Sequence, residues 1–270
     1  MANSVRDLGR KADNSETLDW AVRLGLVSYG VVHILLAWLI GSLALGESEG
    51  SASKNGALAQ VKEQPWGTPL LLVMAFGFVA LTVWQLIDAV AGHRGSEGGK
   101  RAFKQATSVV KAGIYAFFAY GSWKVGTQGS GGEDGTEPFV AKILGLPAGQ
   151  LLVGLGGLTI AAWAASLIRS GFTGKFKEHL SAEANRSDLS DAYVRIGTVG
   201  YIGKGVALLA VAGLILWAAK TSDPQKSGGL DEAMRKILGQ PYGSYLLLAI
   251  ATGLACYGLF CFARARHLDR

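Results

Sequence analysis

The sequence predicts an all-α, polytopic membrane protein. Six transmembrane helices form three parallel two-helix repeats, with short interfacial helices in the outer loops. Three observations predict it. Of the 270 residues, 50% are apolar and only 17% charged, against roughly 25% charged in soluble globular domains. Six apolar stretches each reach the ~20 residues needed to cross the hydrocarbon layer. A Pro-x-Gly-x-x-Leu pattern opens every second stretch.

Composition excludes other classes first. A chain this apolar is not intrinsically disordered. Its 38 glycines are twice the usual share of ~7%, yet they follow no G-X-Y period, so collagen is excluded. Glycine enrichment with low charge is what membrane helices show.

The elements follow in chain order. Residues 1–18 are polar and mixed in charge, without the apolar core of a signal peptide, and are expected as a cytoplasmic tail. The spans are placed at Ala21–Leu45, Thr68–Ala91, Gln105–Gly126, Ala148–Ile168, Ile196–Ala219 and Gly243–Ala263. Paired in order, they give repeats at 19–94, 101–178 and 191–267. The even spans begin with Pro65-Trp66-Gly67, Pro147-Ala148-Gly149 and Pro241-Tyr242-Gly243. Proline lacks an N–H and presets φ, which suits a helix start. Glycine removes the Cβ where the backbone reverses. Ahead of each motif lies a short, partly amphipathic stretch, Ala57–Glu63, Pro138–Leu144 and Leu230–Leu238, read as a surface helix.

The odd spans align more loosely. Gly25–His33, Thr107–Tyr115 and Gly200–Leu208 superimpose without gaps, so Tyr29, Lys111 and Lys204 share one position. An even number of spans per unit makes the repeats parallel rather than inverted. The linkers Gly92–Lys104 and Arg169–Arg195 separate them, and Ser181–Asp188 reads as flexible or weakly helical. Sixteen Lys and Arg gather at the termini and in these linkers, against eight in the alternate loops. By the positive-inside rule both termini are cytoplasmic. The net charge of +6 therefore faces anionic headgroups, and with no nucleic-acid-binding signature present, nucleic acid is not an expected partner.

Three tandem two-span units, with Lys-Ala or Lys-Gly in the later odd spans and Pro-x-Gly opening the even ones, resemble a bacterial membrane family. That family is the domain of unknown function number 1206, and the resemblance runs from about Asp19 to His267. It implies the topology and a bacterial plasma (inner) membrane. It supplies no activity and no catalytic residues, and the first unit departs from the pattern with Tyr29 in place of lysine.

The motifs that look chemical lack their context. Gly46-Glu47-Ser48-Glu49-Gly50 matches a nucleophile elbow, but it follows a membrane span and flanks the serine with carboxylates. Gly154-Leu155-Gly156-Gly157 has Thr159 where a dinucleotide loop needs its third glycine, so close helix packing is the better account. His33 lies mid-span, while His93, His179 and His267 lie at or beyond the cytoplasmic boundary, so no bis-histidine haem site forms. Cys256 and Cys261 are five apart, a spacing that suits neither a disulfide nor a metal within one helix. No cofactor, metal site or enzymatic activity is expected.

Intramembrane charge is the remaining signal. Lys111 and Lys204 lie inside odd spans, and Asp88 is a carboxylate inside a span. Such charges are functional candidates, although lysines also snorkel to the headgroups. Lys111, Lys204, Tyr29 and Asp88 are therefore the expected site, a cationic one for a lipid phosphate or small anion. The expected function is a non-enzymatic interaction or accessory protein whose partners are anionic membrane lipids and a protein within the membrane. The alternative is a small-solute transporter or channel.

Overall fold

The computed structural model describes residues 16–47, 52, 54–91, 98–129, 136–179 and 190–267. These are helical apart from short turns: α1 (Glu16–Leu45), α2 (Lys54–Lys62), α3 (Gly67–Ala91), α4 (Gly98–Gln128), α5 (Thr136–Leu144), α6 (Gly149–Thr173), α7 (Ser190–Thr221), α8 (Leu230–Leu238) and α9 (Gly243–Arg266). Two 3-10 turns, Lys175–His179 and Pro224–Lys226, complete them. Among the described residues, five helices are long and apolar enough to cross a membrane: α1, α3, α6, α7 and α9. The chain is a multi-pass membrane protein. The helix holding the third expected span, α4, has the length but not the apolarity, because Gln105, Thr107, Ser108 and Lys111 interrupt it. The expected Ser181–Asp188 segment and Ser48 lie outside the described residues.

The structure divides into two compact units. The first comprises the chain up to Tyr29, residues 58–130 and 261–270; the second comprises 30–57 and 131–260. The helices α1 and α9 each contribute one part to each unit.

In the first unit α3 and α4 run antiparallel. Ser108, early in α4, meets Asp88 near the end of α3, while Gly126, late in α4, is reached by Lys62 from just before α3. Leu71, Met74, Phe78 and Leu81 recur at helical spacing on α3 and are buried, together with Val22 and Leu26 of α1. Gly77 lets α1 approach α3: a Cβ there would lie 2.9 Å from the Gly25 Cα. On the other face Phe76, Val79, Val83, Leu86 and Val90 are exposed, as lipid-facing residues are.

In the second unit α6 packs along α7, and α7 packs against α9 through glycine. A Cβ on Gly203 would lie 2.5 Å from the Gly253 Cα, an approach only small residues permit. Phe176 of the first 3-10 turn is fully buried among Tyr201 and Phe260, with centroids at 5.2 and 5.4 Å. The expected linker therefore begins packed rather than solvated. At the other end of this unit, the Ala52 N–H donates to Asp231 Oδ1 of α8 at 2.7 Å.

Gly67, Gly149 and Gly243 are each the first residue of a helix. The turn before each carries the same three backbone hydrogen bonds, such as Gly67 N to Gln64 O, Gly149 N to Leu146 O and Gly243 N to Gln240 O, at 2.8, 2.9 and 2.9 Å. In all three, an added Cβ would strike the carbonyl oxygen six residues earlier, of Val61, Ile143 or Ile237.

Candidate functional site, a polar cluster at helix ends

One polar cluster in the first unit draws on α3, α4 and the end of α9. Asp88 stands in the last turn of α3 and accepts a hydrogen bond from Ser108 Oγ at 3.0 Å. Lys111 follows Ser108 by three residues, so both lie on one face of α4. Asp88 and Arg264 both lie within electrostatic reach of Lys111. Arg264 places its guanidinium 5.7 Å from the ring centroid of Trp84, one turn before Asp88 on α3. The cluster thus holds two basic side chains and one carboxylate, a formal excess of one positive charge.

Three buried polar atoms on these helices have no hydrogen-bond partner: Oε1 of Gln85, which is 4% exposed, Oγ of Ser122 and Nε of Arg264. An unmet buried polar group costs about 1–3 kcal/mol. Such a group calls for a ligand, a water or an ion to satisfy it.

Tyr29 belongs to the first unit but packs into an aromatic cluster, edge-on to Phe78, Tyr115 and Phe118 at 6.2, 5.4 and 5.5 Å. Lys204 belongs to the second unit and is buried, with its Nζ 3.9 Å from the Tyr257 ring centroid and 6.0 Å from that of Trp163. Both rings lie within cation–π range. His33 stacks against the same Tyr257, centroid to centroid at 4.8 Å. Lys111 and Asp88 thus share one cluster, while Tyr29 packs on Tyr115, which also lies within electrostatic reach of Arg264.

Arg264, Trp84 and Gln85 were not legible as site residues. Hydropathy ends the last span just before Arg264, which reads as a flanking positive charge. The available signal was spacing: Gln85 and Asp88 are three apart on one helix, Ser108 and Lys111 three apart on another. Among the described residues, no group of three or more His, Cys, Asp and Glu could hold a metal ion. Cys256 and Cys261 form no disulfide. Gly154–Gly157 lies within α6, where Gly157 admits Leu216 of α7, 2.8 Å from where its Cβ would stand.

Residues 24–92 and 199–267 both match the family described as Domain of Unknown Function (DUF1206). The chain belongs to this family. The DUF1206 match takes in Asp88 and Arg264 of the polar cluster, with Lys204 and Tyr257 of the second unit; Lys111 falls between the two matched stretches. The DUF1206 protein is also 26% identical over 266 residues to the uncharacterized protein YxxB of Bacillus subtilis (strain 168), covering 97% of this chain and 96% of that one. No solved structure matches it.

Proposed function

We propose that this DUF1206 protein is a non-enzymatic integral protein of the bacterial plasma membrane that binds an anionic group within the bilayer. Six spans form three parallel two-helix repeats, both termini are cytoplasmic, and the protein acts as an interaction or accessory component. The reading of α4 as a sixth span is supported by its 31 residues, which exceed the ~20 needed to cross. The repeats are supported by the three like turns before Gly67, Gly149 and Gly243, and by two separate matches to one family. The cluster of Lys111, Arg264 and Asp88 carries the functional reading. A net-positive group of ionisable residues at membrane depth is costly unless paired. A phosphate, whether of a lipid or free, would take the hydrogen bond that Arg264 Nε lacks.

The test compares wild type with the Lys111→Met Arg264→Gln double variant. Binding of inorganic phosphate is measured by calorimetry in detergent, and retention of phosphatidylglycerol by native mass spectrometry. The expected result is loss of one or both with helical content retained by circular dichroism; Asp88 keeps its Ser108 hydrogen bond in this variant. Phosphate loss alone indicates a soluble anion, and phosphatidylglycerol loss alone a lipid. Wild-type binding of both by the double variant would overturn the site.

A further inference from the structure

A second feature lies in the other unit and uses none of these residues. A groove of about 390 Å³ runs between α6 and the end of α7. Leu151, Leu155 and Leu158 line one side, and Gly154 and Ala219 form the floor. Small residues form the floor, and a Cβ on Gly154 would come 3.9 Å from the Ala219 Cβ. The three leucines are 63%, 52% and 57% exposed. The helix that carries them is the least covered of the five apolar helices, with 17% of its most apolar stretch buried against 44% to 61% in the others.

The groove is polar at one end alone. There the exposed Lys220 of the last α7 turn faces Gln150 at the start of α6. An apolar trough ending in an ammonium and an amide has the charge pattern of an anionic phospholipid. A soluble anion would gain nothing from the leucine wall. A zwitterionic lipid would present its own cation to Lys220. We propose that this groove seats one acyl chain of an anionic phospholipid, with its phosphate on Lys220 and Gln150. Under the six-span topology this lipid belongs to the outer leaflet, opposite the leaflet expected for the Lys111 cluster.

Lys220 has a simpler role open to it, offsetting the carbonyl end of the α7 dipole. That role predicts no lipid preference, so the experiment reads preference. Purified protein is exchanged into dioleoyl phosphatidylglycerol or dioleoyl phosphatidylcholine, and retained lipid is counted by native mass spectrometry. This is done in wild type and in the Lys111→Met Arg264→Gln background, so that loss of the first site does not disguise this one. One phosphatidylglycerol should be held about fivefold more tightly than phosphatidylcholine, as one lysine near a headgroup supplies. Lys220→Gln should abolish that preference. Lys226→Gln removes a charge that pairs with Asp223 at 3.6 Å and lies over Trp217, outside the groove, and should leave it intact. Gly154→Leu should displace the lipid by filling the floor; because Lys220→Gln alters only an exposed side chain, the test survives if Gly154→Leu misfolds. Equal retention of the two lipids, an unchanged preference in Lys220→Gln, or a dimer that excludes lipid from the groove would overturn the proposal.

Discussion

At the residue scale, the Pro-x-Gly turns show how little side chain a tight helix entrance admits. Gly243 starts α9 with its Cα against the end of α8, and an added Cβ would lie 2.7 Å from the Leu238 carbonyl carbon. Gly243→Ala should therefore cost about 1–3 kcal/mol, as overpacking does. The neighbouring position has the opposite problem. Ala148 and Tyr242 precede their helices at φ of 61° and 62°, where an L side chain is strained. Ala148→Gly relieves that strain and should raise stability by about 0.5–1 kcal/mol, net of the greater freedom of the unfolded chain. Thermal unfolding in one detergent checks both, and a stable Gly243→Ala would refute the steric account.

At the element scale, α4 is the helix that most needs its neighbours. Its apolarity falls short of the others, so packing and capping rather than lipid burial hold it in place. Gly126 contributes one of the last four carbonyls of α4, which have no partner within a helix. Lys62 Nζ supplies one, donating to Gly126 O at 2.6 Å and to Thr68 Oγ1 at 2.6 Å. A charged hydrogen bond of this kind contributes about 1.5–3 kcal/mol. Lys62→Met should then raise amide exchange in the last turn of α4 about tenfold, leaving the middle of the helix unchanged. Hydrogen–deuterium exchange with peptide resolution reads this directly, and unaltered protection at Val125–Gly129 would show that the cap contributes nothing.

At the scale of the whole molecule, the issue is how often the chain crosses. Six crossings put the loop before α9 outside and the turn after α6 inside. In a background with Cys256 and Cys261 replaced by alanine, Gln240→Cys should react with an impermeant maleimide in intact cells. Lys175→Cys should react only after permeabilisation. Both positions are exposed, so accessibility to the reagent is set by the membrane. If Lys175→Cys labels in intact cells, α4 does not span and the topology changes.

Hydropathy and length by themselves determined that this is a helical membrane chain, because crossing hydrocarbon demands an unbroken apolar run whatever the neighbours are. The three helix starts at Gly67, Gly149 and Gly243 were equally legible, since a missing N–H and a missing Cβ act within a few residues of themselves. The expected surface stretches are helical too, at Lys54–Lys62, Thr136–Leu144 and Leu230–Leu238. What only the tertiary structure decided is which charges meet. Lys111 and Lys204 share one expected repeat position, yet Lys111 lies within electrostatic reach of Asp88 and Arg264 while Lys204 lies over Tyr257. Hydropathy is blind to the rotation of a helix about its axis. That rotation is set by contacts between distant residues, such as Gly126 of α4 with Leu71 of α3 in one unit and Gly203 of α7 with Gly253 of α9 in the other.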